Sequence, residues 1–213
     1  QVNFADSCDF NNLYCYVIPR IKQTASSNPR ANYLTPAQKS NILSGLRDRK
    51  TLGAEIIITD PAFIAVDVGT YNPNTETLSK DLSDTSYLKI VRSNNSSQSF
   101  ESIQTQVSNV IKAYFDGLEL GDPIDVSNIL NLILDIGGIA SVSTVRTDTG
   151  QETQGLNITI WNPIFPDDDI INTGAGVTMP HYKYPYLYNP AKFTDKIKVV
   201  AESSLSELST SEY

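Results

Sequence analysis

The sequence predicts an α+β fold: two small mixed strand–helix units with short antiparallel sheets, followed by an extended C-terminal arm. Short aromatic and β-branched runs alternate with helical patterns up to residue 162, and closely spaced prolines break any long element beyond it. Of the 213 residues, 40% are hydrophobic and 19% are charged, which is enough apolar material for a packed core. We place the first unit at 1–71, the second at 72–162 and the arm at 163–213.

In the first unit, the pattern predicts the order strand, helix, strand, strand. Thr35 is a natural N-cap, and Pro36 suits the first helical turn because its missing N–H is not needed there. Ile42, Leu43 and Leu46 give this helix an apolar stripe. The predicted strands are 13–18, 54–59 and 63–69.

In the second unit, the sequence predicts two helices and three strands. Apolar side chains recur every three or four residues from Ile103 to Phe115, which is typical of an amphipathic helix. Ser99 or Ser102 caps this helix, and Gly117 ends it. The other predicted elements are a helix from a cap at Asp125 or Ser127 to Asp135, and strands at 86–92, 139–146 and 156–161, the last two forming an antiparallel pair.

Four tyrosines alternate along the arm, at Tyr182, Tyr184, Tyr186 and Tyr188. In a strand all four would face one side, and tyrosine rings give a large contact area at low entropic cost. We therefore predict that they contact a partner. An arm that packs over its own domain explains the pattern equally well, and a carbohydrate-binding platform is a third use.

The chain is acidic, with 16 basic and 24 acidic residues and a formal net charge of -8. Residues 1–71 hold seven basic and six acidic residues, whereas residues 72–213 hold nine and 18, so the acidity belongs to the second part. Nucleic acid is not a predicted partner, because phosphate binding needs clustered Lys and Arg. A membrane is not predicted either, because no apolar run reaches the length of a membrane span.

No catalytic, cofactor-binding or metal site is predicted. His181 is the sole histidine, and no motif of a reactive Ser or Cys accompanies it. Cys8 and Cys15 lack the spacing of zinc ligands, and we interpret both as reduced thiols. The three consecutive Asp residues at 167–169 lack the alternation of a calcium loop and are interpreted as a solvated turn. The chain is therefore predicted not to be an enzyme and to have no small-molecule substrate.

Several short motifs follow one another in a defined order between residues 9 and 147. They are 9–19 (DFNNLYCYVIP), 52–53 (LG), 60–68 (DPAFIAVDV), 113–115 (AYF), 120–124 (LGDPI) and 138–142 (GIASV). This order resembles the baseplate J-like proteins of contractile phage tails. In that family a short strand motif precedes a helix, a Leu-Gly step and a strand with Pro and alternating Val. A helix ending in an aromatic residue, Leu-Gly-x-x-Ile, a further helix and a Gly-Ile strand come later.

The resemblance implies a structural protein, similar to the C-terminal part of the wedge subunit in the baseplate of large contractile-tailed phages. Such subunits are paired in each wedge and join the wedges into a ring. The implied partners are therefore a second copy of the chain, as a homodimer or ring, and other baseplate wedge proteins. The implied location is the virion, after assembly in the host cytoplasm. The first residue, Gln1, and the sole methionine, Met179, lead us to expect a longer parent polypeptide.

Two other functions stay open on the sequence. An enzyme acting on cell-wall glycans would need two carboxylates that face each other across the substrate, and a sequence does not show that spacing. A cleft with paired carboxylates of raised pKa would favour this enzyme. A carbohydrate-binding tail module would use the tyrosine row, and its glycan binding would be lost on Tyr184→Ala and Tyr186→Ala.

Overall fold

The computed structural model describes residues 12–18, 33–47, 55–69, 86–147, 149–163 and 170–203. Within these ranges, helices and short mixed sheets confirm the predicted α+β class. The helices are α1 (Pro36–Leu46), α2 (Phe100–Asp116) and α3 (Val126–Leu134). The strands are β1 (Asn12–Tyr16), β2 (Glu55–Thr59), β3 (Ala62–Val68), β4 (Ser86–Arg92), β5 (Ile139–Arg146), β6 (Glu152–Gln154), β7 (Ile158–Trp161), β8 (Ile171–Thr173), β9 (Lys183–Leu187) and β10 (Ile197–Ala201).

Helix α1 begins where the sequence predicts. The Gln38 N–H donates to Thr35 Oγ1 at 3.3 Å, and the Thr35 N–H donates to Gln38 Oε1 at 2.8 Å, which completes a reciprocal capping box. The apolar stripe of this helix does not enter the core, since none of its residues is buried and Leu43 is 37% exposed.

Helices α2 and α3 also begin at predicted caps. Ser99, rather than Ser102, caps α2 by accepting the Ser102 N–H at 3.1 Å, and Gly117 follows its last residue. Asp125, rather than Ser127, caps α3 by accepting the Asn128 N–H at 3.0 Å. Each cap satisfies a backbone donor that the first helical turn leaves without a partner.

The strands form three sheets. Strands β1 and β2 make a parallel pair. The β4 sheet has the order β10-β4-β5-β6, and the β3 sheet has the order β8-β7-β3-β9. The two larger sheets are mixed rather than purely antiparallel as predicted, because β10 runs parallel to β4 and β9 runs parallel to β3.

The sheets do not follow the predicted boundaries at 71/72 and 162/163. Strand β3 comes from the predicted first unit, yet it pairs with β7 of the second unit and β9 of the predicted arm. The predicted antiparallel pair of 139–146 with 156–161 also needs correction, since β5 pairs with β6 and β7 pairs with β3. Strand pairing depends on contacts distant in sequence, which local patterns do not specify.

The extended arm predicted at 163–213 needs correction over its described part, 170–203. This segment supplies β8, β9 and β10 to the two larger sheets. Leu187, Phe193 and Ile197 are each 1% exposed and belong to the main hydrophobic core. Pro185 lies in β9 at the edge of its sheet, where a missing N–H is tolerated. Prolines therefore shorten the strands of this segment without excluding it from the core.

A buried ion pair ties this segment to β3. Asp67 Oδ2 accepts a hydrogen bond from Lys196 Nζ, and the two side chains are only 2% and 12% exposed. Asp67 Oδ1 also accepts the Val68 N–H at 2.8 Å. A buried carboxylate needs such partners, because burial without them carries a large desolvation cost.

Candidate interaction surface

The predicted tyrosine row lies on β9, at the edge of the β3 sheet. Tyr184 is opposite Phe63 and Tyr186 is opposite Ala65 in the parallel register. Because side chains alternate along a strand, Tyr184 and Tyr186 share one face of the sheet with Phe63 and Ala65. Leu187 lies on the opposite face and is buried in the main core. Tyr184 and Tyr186 are therefore positioned to pack against the side chains of their own sheet.

The rings on this face form an aromatic cluster, defined as Tyr33, Phe63, Trp161, Tyr184, Tyr186 and Tyr188. Phe63 lies at its centre, with ring centroids 5.8 Å from Tyr184 and 6.3 Å from Tyr186, both edge-on. At the far side, the Trp161 and Tyr188 rings are 5.0 Å apart. Edge-to-face packing of this kind is favourable beyond the area that the rings bury.

The four tyrosines differ in exposure. Tyr186 is 7% exposed, and Tyr184 and Tyr188 are half-buried at the margin of the aromatic cluster. Tyr182 precedes β9 and is 39% exposed, with its ring 6.3 Å from that of Tyr16 on β1. The row is therefore not one exposed face. Partner contacts through it stay a prediction, and Tyr182 with the margins of Tyr184 and Tyr188 is the surface available for them.

Two phenols of the row have a pKa above the ordinary tyrosine value. Burial raises the pKa of Tyr186, and its Oη has no hydrogen-bond partner within the described ranges. Burial, with the nearby charge of Asp116, raises the pKa of Tyr184 as well. A phenol with a raised pKa is a poor proton donor at neutral pH. The cluster is therefore suited to packing and contact rather than to acid–base chemistry.

A shallow groove of about 380 Å³ lies beside the cluster, between β7 and the chain that precedes β9. Most of the described residues that line it are apolar, and Asn162, Thr178 and Lys183 are the polar ones. Among the described residues that line it, there is no Asp or Glu. Burial raises the pKa of Asp116, but this residue does not line the groove. The described lining of this groove therefore holds no paired carboxylates of the kind that would favour a glycan-cleaving enzyme.

The other candidate residues are dispersed. His181 is exposed and stacks edge-on against Tyr16 at 6.0 Å. Cys15 is a free thiol on β1, whereas Cys8 and the Asp run at 167–169 lie outside the described residues. In the described part of the chain, no three His, Cys, Asp or Glu side chains are grouped so that they could hold a metal ion.

Tyr33, Phe63 and Trp161 are the members of the cluster that the sequence analysis did not single out. Phe63, Ala65 and Asp67 alternate along β3 with Ile64, Val66 and Val68, so both faces of this strand carry buried side chains. An almost continuous apolar run, interrupted here by Asp67, is typical of a strand covered on both faces. That signal could have indicated a second packed face.

No family model matches the sequence, and no curated protein matches it. The resemblance to baseplate J-like proteins therefore rests on the order of the motifs alone.

None of the helices in the described ranges combines the length and the apolar character needed to cross a bilayer.

Proposed function

We propose that the chain is a structural virion protein, a wedge component of the baseplate of a contractile phage tail. In this role it mediates subunit dimerisation and the joining of wedges into a ring. Its partners are a second copy of the chain and other baseplate wedge proteins.

The observation that carries the proposal is where the ordered motifs lie. AYF at 113–115 is in the last turn of α2, and LGDPI at 120–124 forms the connection to α3. GIASV at 138–142 leads into β5, and the earlier DPAFIAVDV at 60–68 runs through β3. These four motifs are on the kinds of element that the resemblance implies, and in the implied order, which supports the proposal, whereas LG at 52–53 lies outside the described residues.

The LGDPI connection is also a packing point for the fold. Gly121 has a φ of +81°, and its N–H donates to the Lys183 carbonyl at 2.9 Å. A Cβ at this position would lie 2.8 Å from the His181 Cα, so the close approach requires glycine. Ile124 then exchanges hydrogen bonds with Val177, at 2.9 and 2.8 Å. A motif that positions the C-terminal strands supports a role as a rigid assembly unit.

The alternatives have less support. A glycan-cleaving enzyme would need facing carboxylates, and the described lining of the groove holds none. A carbohydrate platform needs exposed ring faces, whereas Tyr186 is 7% exposed. Contacts with protein partners need only exposed ring margins, as on β9, or an open strand edge, as on β10.

Immunogold electron microscopy of purified tails tests the proposal. Antibodies raised against this chain should label the baseplate end of the tail and leave the sheath unlabelled. Antibodies raised against a sheath protein provide the matched control. Particles without baseplate label, together with release of sugars from purified cell wall by the chain, would contradict the proposal and favour the enzyme.

A further inference from the structure

Strand β10 lies at the open edge of the β4 sheet. It runs parallel to β4, with Ile197 opposite Leu88 and Ala201 opposite Arg92, and it has no strand on its other side within the described ranges. Lys198, Val200 and Ala201 are exposed, with Val200 36% exposed. An exposed edge strand offers backbone groups that pair readily with a strand of another chain.

Two hydrogen bonds fix which residues of β10 direct their backbone groups outward, away from β4. The Glu202 N–H donates to the Arg92 carbonyl of β4 at 3.0 Å, so the even-numbered residues direct their backbone groups toward β4. The odd-numbered residues direct theirs outward, and the Ile197 carbonyl accepts Gln104 Nε2 of α2 at 2.9 Å on that side. Val199 and Ala201 therefore present their N–H and C=O groups away from β4.

The side chains of β10 divide in the same alternating way. Ile197 is buried and Val199 packs against the main core, so Lys198, Val200 and Glu202 lie on the opposite, exposed face. Lys198 Nζ sits 3.9 Å from the centroid of the Tyr87 ring. Glu202 Oε2 accepts the Asn94 N–H at 3.1 Å. A cation, an apolar residue and an anion thus follow one another along the exposed face.

We infer that a second copy of this chain pairs antiparallel with β10 about a twofold axis at Val200. Val199 of each copy then lies opposite Ala201 of the other, and the two residues exchange their outward N–H···O=C bonds. Lys198 of each copy lies opposite Glu202 of the other, and the two Val200 side chains meet on the axis. The inference rests on the proposed function, since its partner is the second copy that dimerisation requires.

Charge complementarity selects this register. Only residues whose backbone groups point away from β4 can form hydrogen bonds between the two copies. Alternative registers therefore keep odd-numbered residues opposite odd-numbered residues. A step in one direction places Lys198 opposite Val200, and a step in the other places Val200 opposite Glu202. The register centred on Val200 alone sets both charge pairs opposite each other, and cross-strand pairs of opposite charge are favourable.

A charge exchange tests the register. Lys198→Glu and Glu202→Lys each place like charges opposite each other twice in the dimer, so each should raise the dissociation constant by about tenfold in sedimentation equilibrium. The double variant K198E/E202K exchanges the charges and should restore dimerisation. It loses the same contacts to Tyr87 and Asn94 as the single variants, so restored affinity cannot come from within one chain.

A disulfide on the axis gives a second readout. In a chain with Cys8→Ser and Cys15→Ser, Val200→Cys should yield a covalent dimer under mild oxidation, because side chains of a non-hydrogen-bonded antiparallel pair lie close together. Lys198→Cys in the same background is the matched control and should stay uncrosslinked, since position 198 faces position 202.

The outcomes separate this inference from the proposed function. A wild-type dimer that forms no Val200→Cys disulfide and is indifferent to both charge variants would overturn the β10 register and leave dimerisation intact. A chain that stays monomeric at every concentration would overturn the register and also the dimerisation part of the proposed function. Baseplate labelling tests the remainder of that function independently.

Discussion

The β3 and β4 sheets each end on a parallel strand from the C-terminal segment, yet their edges differ. On β9, the Lys183 carbonyl accepts the Gly121 N–H at 2.9 Å, and Pro185, the next outward residue, has no N–H. On β10, Gln104 covers only the Ile197 carbonyl, while Val199 and Ala201 keep their outward groups. Similar topology therefore gives one edge closed to strand addition and one open to it.

The faces of the two sheets differ as well. The β3 sheet is covered on one side by the main core and on the other by the aromatic cluster. The outer face of the β4 sheet carries polar contacts instead, including a Lys89–Glu152 ion pair at 2.8 Å and Lys198 over the Tyr87 ring. Exposed ion pairs contribute little to stability, so contacts on this face can be exchanged at low cost. The β3 sheet is therefore packed on both faces, whereas the β4 sheet packs Leu88 and Ile90 into the core on one face and offers contact surface on the other.

The largest expected effect is on the doubly covered sheet. Phe63 is 2% exposed and contacts three rings of the cluster, so Phe63→Ala should lower the free energy of unfolding by about 4 kcal/mol. Tyr182→Ala, at an exposed site, is the control and should cost less than about 1 kcal/mol. Equal losses for the two variants in urea denaturation would mean that the aromatic cluster is not a packed face.

The next effect concerns the ion pair between β3 and the C-terminal segment. Lys196→Met removes the ammonium group that pairs with the carboxylate of Asp67, which is 2% exposed, so the free energy of unfolding should fall by about 3 kcal/mol. The exposed Lys192→Met is the matched control and should change stability by less than about 0.5 kcal/mol. A small loss for Lys196→Met in chemical denaturation would show that the C-terminal segment contributes little to the core.

A third prediction concerns a proline placed in the open edge strand β10, where it should act as Pro185 does in β9. Val199→Pro removes an outward N–H that β4 does not use, so it should abolish self-association while lowering the free energy of unfolding less than Val200→Pro does. Val200→Pro removes an N–H directed at β4, and it should cost about 3 kcal/mol or more. Gel filtration and thermal unfolding of both variants check this contrast. Persistent dimers of the Val199→Pro variant would place the interface elsewhere.

The smallest expected effect is at the centre of the tyrosine row. Tyr186→Phe removes a buried hydroxyl that has no hydrogen-bond partner among the described residues, so stability should be unchanged or rise by up to about 1 kcal/mol. Thermal unfolding measures the change. A clear loss of stability would mean that the hydroxyl is hydrogen-bonded within the protein.

Local signals predicted the helices and most strands before residue 163, because each of these is set by neighbouring residues, whereas β6 and β8 had no predicted counterpart. Thr35 with Pro36, Ser99 with Gly117, and the cap at Asp125 fixed the helices, and the β-branched run at 86–92 coincides with β4. Strand pairing was predicted poorly, since Asp67 and its partner Lys196 are 129 positions apart. Pro185 suggested an arm because it breaks central strands, but an edge strand tolerates it. The tyrosine row was found from its spacing, whereas its burial depends on Phe63 and Trp161.

Amide hydrogen exchange, measured as a function of protein concentration, tests the central claim most directly. The Val200 N–H points to β4 and should be protected at every concentration, whereas the N–H groups of Val199 and Ala201 should exchange rapidly in dilute solution and slowly at high concentration. The Ala65 N–H in the β3 sheet should show no such dependence. Exchange at Val199 and Ala201 that is independent of concentration, in a chain that nonetheless dimerises, would contradict the assignment of β10 as the assembly edge.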